Sequence, residues 1–148
     1  MDWKIFLSGE IHSGWRDDLI QTARDRKLPV TFFTPVTDHE ASDNVGVKIL
    51  GAGENPFRKD HKAAWINAIR IRRGIGNVDV VIVKFGEQYR QWNATYDADV
   101  AVASGKPLIV IHPEEFNHAL KEIDSQAMAV ESDEQQVIEI LEYVITKK

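Results

Sequence analysis

Apolar runs and helical stripes alternate along this chain. WKIFLSG, from Trp3 to Gly9, is a short apolar run ending in small residues, the pattern of a buried strand. In SGWRDDLIQTARDRK, Trp15, Leu19, Ile20 and Ala23 fall on one helical face. Ser13 can cap that helix, and Asp17 and Asp18 suit its positive end. LPVTFFTP, from Leu28 to Pro35, reads as a second strand. The next stretch, Val36 to Asp60, carries Gly46, Gly51, Gly53 and Pro56 and is expected to be a long irregular loop.

HKAAWINAIRIRRGIG, from His61, returns to helical spacing, with Ala64, Ala68, Ile71 and Ile75 in register and Trp65 and Ile69 beside them. NVDVVIVKFG, from Asn77 to Gly86, is apolar on both faces and predicts a central strand. A helix starting near Asn93 feeds a further buried strand in KPLIVIHP. EEFNHALKEI then predicts a short helix and QAMAVE a short strand. A last helix begins at Ser132, with Gln135 three residues on as a capping box.

Strands that are uninterrupted apolar runs, alternating with helices, specify an α/β fold with a mostly parallel sheet covered on both faces. Five strands predict a flavodoxin-like, Rossmann-like three-layer sandwich of order 2-1-3-4-5. Its ligand crevice would lie beyond the carboxyl ends of strands 1 and 3. The chain has 148 residues, which suits one domain spanning 1–148.

Composition narrows the function classes. The longest apolar runs are four residues, too short for a membrane span, and no signal peptide is expected at the start. With no cysteine there is no disulfide or thiolate chemistry, and a cytoplasmic location is the simplest expectation. Net charge is −5, which does not favour binding to polymeric nucleic acid. The charge is uneven: Arg58 to Arg73 holds six cations against Asp60, while the chain from Glu114 onward holds nine acids and three lysines. Solvated helix faces are the favoured account of both.

The crevice rule directs attention to the strand ends. SGEIHSG after strand 1 lacks the dinucleotide-binding glycine spacing, and no P-loop occurs. The receiver-domain arrangement would need an aspartate where strand 3 ends in Lys84 and Phe85. The five histidines show no metal-ligand spacing. What the strand ends do carry is Ser8, Gly9 and Glu10 after strand 1, and a helix holding Asp97 and Asp99. Asp97 points with Asn93, Val100, Ala101 and Ser104, whereas Asp99 lies on another face. Both acids could simply favour the helix N-terminus, or Asp97 could stand at the crevice as a nucleophile or a ligand for sugar hydroxyls.

IFLSGE, NVDVVIVKFG and NATYDADVAVASGKPLIVI together resemble the nucleoside 2-deoxyribosyltransferase superfamily. SGEIHSGWR and GENPFRKDHKAAWINAIR resemble its YtoQ branch in particular. The resemblance implies a helix carboxylate that attacks the anomeric carbon of a nucleoside, with a second carboxyl group assisting, as in retaining glycosidases. Counting back from Gly105-Lys106-Pro107 puts the nucleophile at Asp97, one methylene shorter than the family's glutamate.

Other family positions are replaced: acids of the pattern fall at Gln91 and Ile71, and a first-strand tyrosine falls at Phe6. Glu10 is the candidate second catalytic carboxyl group. Phe6, Ser8, Gly9, Asp60, Asn67, Trp92, Asn93 and Asp99 are candidate substrate contacts. Arg58 or Lys59 could meet a phosphate, and Tyr89 and Trp92 could stack on a base. The implied partner is a small-molecule nucleoside or nucleotide, the implied assembly a homo-oligomer, and no metal or redox cofactor is called for. The activity implied is transfer of a deoxyribosyl group or hydrolysis of the N-glycoside. A non-catalytic nucleotide-binding or sensor module on the same scaffold is the alternative.

Overall fold

The computed structural model describes residues 1–52, 55–88 and 91–147. Five strands, β1 (Trp3–Gly9), β2 (Val30–Phe33), β3 (Val80–Lys84), β4 (Leu108–Ile111) and β5 (Ala129–Glu131), form one sheet of order β2-β1-β3-β4-β5. Every neighbouring pair is parallel. The order reverses between β1 and β3, as the alternation of apolar runs and helices predicts.

Alternate residues of each strand feed two cores. Ile5, Leu7, Val80, Ile82, Ile109 and Ile111 meet α1 (Trp15–Asp25) and α6 (Glu134–Thr146) on one face. On the other, Phe6, Val81, Val83, Leu108 and Val110 meet α3 (Pro56–Gly76) and α4 (Trp92–Ala103). Burial on both faces is why these strands read as continuous β-branched runs.

The expected long loop is instead mostly helical. α2 spans His39–Leu50, and α3 begins at Pro56 rather than near His61. Asp38 caps α2 by accepting from the Ala41 amide, and Asn55 caps α3 by accepting from the Arg58 amide, just ahead of a proline in the first helical turn. The pattern conceals α2 because Gly46 is its only buried residue. A Cβ there would lie 2.4 Å from the Ala63 nitrogen, so Gly46 is where α2 crosses α3 at backbone contact. Lys62 closes the hairpin, its Nζ donating to the Gly51 and Ala52 carbonyls at 3.1 and 3.0 Å.

Several local expectations shift with the tertiary packing. The α3 stripe turns so that Ala63 and Ile75 are buried while Trp65 and Ile69 face out. Glu114 to Ile123 splits into a 3-10 turn at Glu114–Phe116 and a short α5 (Lys121–Asp124). The cap of α6 is Asp133, accepting from the Gln136 amide, one residue beyond the expected Ser132. Gly14, not Ser13, is the N-cap residue of α1. Among the described residues, no helix is long and apolar enough to cross a membrane.

Candidate active site

Asp97 is a buried carboxylate on the helix that follows β3, next to the point where the strand order reverses. It lies on α4 among Ala94, Ala98 and Ala101, small residues that let the helix settle on the sheet. No acid stands in the first turn of α4, so helix-dipole preference explains neither Asp97 nor Asp99. Asp97 is 4% exposed, and Asp99 faces solvent. Ser8, pointing from β1 toward α4, donates its hydroxyl to Asp97 Oδ2. Asp97 Oδ1 has no hydrogen-bond partner. Burial pushes the Asp97 carboxyl up to about 6, against the opposing pull of the Ser8 hydroxyl and the Arg16 charge.

The loop after β1 is held tightly against the end of β3. Gly9 has φ +103°, and a Cβ there would sit 2.0 Å from the Lys84 carbonyl oxygen, so only glycine lets β1 and β3 converge at this point. The Glu10 amide donates to the same carbonyl at 2.9 Å. The Glu10 side chain packs on Gly86, and its carboxylate accepts from the His12 amide and the Ser13 hydroxyl and amide. Burial alone would push Glu10 up. The Ser13 and His12 hydrogen bonds, with the charges of His12 and Lys84, outweigh that and hold it below the usual carboxylate value. Ser13, expected to cap α1, is thus used by Glu10 instead.

A cavity of about 320 Å³ opens beside Glu10, lined among others by Lys84, Gly86, Ile111, His112 and Ser132. Lys84 pairs with Glu134 at the start of α6. His112, buried at the end of β4, has Nε2 3.0 Å from Asp124 Oδ2 and Nδ1 2.8 Å from the Pro113 carbonyl oxygen.

The structure brings together only some of the residues marked in the sequence. Ser8 meets Asp97, while Gly9 and Glu10 follow on the same loop and the Glu10 carboxylate is engaged by His12 and Ser13. Phe6 lies one step away on the same sheet face, packed under Gly74 of α3. Asn67 is turned to α2, donating to the Ser42 carbonyl and hydroxyl at 3.2 and 3.0 Å, so it fastens the hairpin rather than facing Asp97. Asp60, with Lys59, lines a shallow hollow between α2 and α3. Trp92, Asn93 and Asp99 are exposed on α4. Tyr89 lies outside the described residues. Gln91 stitches the β3–α4 loop: Oε1 accepts from the Gly86 amide at 2.7 Å and Nε2 donates to the Gln88 carbonyl at 2.8 Å.

Sequence reasoning missed Arg16. It is 7% exposed and lies on the apolar face of α1, between Trp15 and Leu19. A charge at a core position of an otherwise apolar stripe was the available signal.

With this geometry in hand, the relatives are informative. The family model described as "Nucleoside 2-deoxyribosyltransferase YtoQ" matches residues 6–145. The uncharacterized protein YtoQ of Bacillus subtilis (strain 168) is 42% identical over 144 residues, covering 97% of each chain. A solved 2-deoxyribosyltransferase from the psychrotolerant bacterium Bacillus psychrosaccharolyticus superposes with a TM-score of 0.56 at 17% identity, covering 91% of this chain and 90% of that one. A conserved protein from Enterococcus faecalis V583 superposes with a TM-score of 0.62 at 13% identity, over 97% and 99% of the two chains. These two likenesses establish the shared fold. Matched along nearly its whole length by the family model and by a relative of such identity, the chain belongs to the nucleoside 2-deoxyribosyltransferase YtoQ family.

Proposed function

We propose that this protein processes nucleosides or nucleotides at the N-glycosidic bond, with Asp97 as the nucleophile. The observation that carries the reading is the state of Asp97: buried on the crevice helix, one oxygen fixed by Ser8 and the other without a partner. Pushed up only to about 6, the carboxyl is ionised at neutral pH, where an unpartnered anionic oxygen in a desolvated setting is a competent nucleophile. Oδ1 attacks the anomeric carbon, and the electrons of the C–N bond pass to the base, which takes its proton from solvent water as it leaves. The resulting glycosyl ester is opened when a second base or water attacks the same carbon, restoring the carboxylate.

Glu10, held in its anionic form, suits removal of a proton from the incoming acceptor better than donation to the leaving base. Ser8 and Gly9 shape the nucleophile's surroundings. Phe6 supports them from the core. Asp60 and Asn67 lie on α3, and Trp92, Asn93 and Asp99 are exposed on α4, so their proposed substrate contacts would be peripheral.

The test is incubation with deoxynucleosides, ribonucleosides and their 5′-monophosphates, with free base read by chromatography. Base release that disappears in Asp97→Ala is the expected result. Thermal stabilisation by one of these compounds with no base release from any would replace the enzyme by the nucleotide-binding module.

We also propose that the chain self-associates through α3. Phe57, His61, Trp65 and Ile69 form one row at four-residue spacing, with Phe57 and Trp65 68% and 60% exposed. Arg72 of α3 bonds Tyr96 of α4, one turn from Trp92, itself 73% exposed. At about 150–250 Å² per aromatic side chain, Phe57, Trp65 and Trp92 alone expose roughly 400 Å². That is about half of the ~800 Å² each partner contributes to a stable interface. Light scattering should show an oligomer that Trp65→Glu reduces to monomer; a monomeric wild-type chain would overturn this.

A further inference from the structure

We infer that Arg16 is the positioning residue of the Asp97 site: its buried guanidinium clamps the backbone that carries Ser8 and supplies the counter-charge of the Asp97 carboxylate. The inference rests on the reading of Asp97 as the functional carboxylate. Arg16 comes from α1, on the face of the sheet opposite α4, and reaches the loop that both sides share. Its Nη1 donates to the Glu10 carbonyl and its Nη2 to the Gly9 carbonyl at 3.1 Å. These carbonyls belong to the two residues that directly follow Ser8, the donor to Asp97 Oδ2. The indole of Trp15 donates to the Glu10 carbonyl at 2.7 Å and stacks under the guanidinium at 4.7 Å, fixing its plane.

Two groups are left incomplete. Arg16 Nε and Asp97 Oδ1 are the buried side-chain polar atoms without a hydrogen-bond partner among the described residues, one a cationic donor and the other an anionic acceptor. Buried charges of opposite sign offset part of each other's desolvation. The effect is reciprocal: Arg16 draws Asp97 down, while burial lowers Arg16 to about 10 against the pull of Glu10, Asp17 and, least of the three, Asp97. Among these charges, Arg16's is the one that acts on Asp97 directly. A purely structural arginine would need the carbonyls but not the carboxylate.

The experiment is a carbon-detected NMR titration of the Asp97 carboxyl in the full chain, for wild type, Arg16→Met and Arg16→Lys. Arg16→Met should raise the midpoint by about one unit, a tenfold tighter hold on the proton. Arg16→Lys, which keeps the charge, should restore most of that shift. If Arg16→Met does not fold, Arg16→Gln keeps a donor for the carbonyls without the charge and gives the same readout. A midpoint unchanged to within about 0.3 units in the neutral variant, against the tenfold effect expected, overturns the inference. No substrate is needed, so the two readings fail separately. A shifted midpoint with no base release removes the enzyme and keeps Arg16. Base release with an unmoved midpoint does the reverse.

Discussion

Asp97→Asn should make this protein more stable at neutral pH while removing its activity. The ordinary aspartate value is 3.8, and burial raises Asp97 to about 6 in the folded chain. The folded state therefore prefers the protonated form more than the unfolded state does. Ionising Asp97 costs nothing below about pH 3.8, costs progressively more as pH rises from there through 6, and reaches a constant penalty above. At about 1.36 kcal/mol per unit, the plateau is roughly 3 kcal/mol. By linkage, about 2 kcal/mol of it accrues between pH 4.5 and 7.5.

Asparagine removes the charge, and the Ser8 hydroxyl can still donate to its oxygen, but its buried NH2 group sets back about 1–3 kcal/mol at every pH. The difference across pH is free of that offset. Urea denaturation of wild type and variant at pH 4.5 and 7.5 should show the variant gaining about 2 kcal/mol relative to wild type between the two conditions. A constant difference, or one that shrinks as pH rises, would refute the claim that Asp97 is an ionised, under-solvated carboxylate. A site that destabilises its own fold in this way fits a group kept for chemistry rather than for packing.

The same shift predicts that kcat/KM for base release rises with pH through a midpoint near 6, read from initial rates at low nucleoside concentration; a value that falls through that range would contradict an anionic nucleophile. Gly46→Ala gains about 1 kcal/mol of helix propensity but meets the Ala63 and Lys62 backbone, so a net loss of about 1–2 kcal/mol is expected in a urea melt. Gly76→Ala, at the end of α3 with open space for a Cβ, should gain about 0.4–1 kcal/mol in the same assay. Asn67→Ala should lose about 1 kcal/mol with its bonds to Ser42 yet leave kcat unchanged; a large fall in kcat in a folded variant would return Asn67 to the site.

The chain's own pattern determines the sheet. Five apolar runs, each bounded by turn residues and separated by helical stripes, permit little besides a parallel sheet with two covered faces, because backbone pairing and burial demand it locally. It also marks Asp97, a carboxylate amid small apolar residues. What it cannot give is direction at long range. Gly46 reads as a loop breaker until α3 is seen pressed against it, and a helix hidden by one glycine then becomes half of a hairpin. Asn67 sits on the right helix to face a ligand, yet Ser42 takes its hydrogen bonds. Trp65 and Ile69 share the composition of core residues and point outward. Arg16 stands out as a charge on an apolar stripe, but only the tertiary structure shows its partners, the carbonyls of Gly9 and Glu10. Periodicity is a property of neighbours within one element; the partner of a buried charge is chosen by elements far apart in the chain, and the tertiary structure alone brings them together.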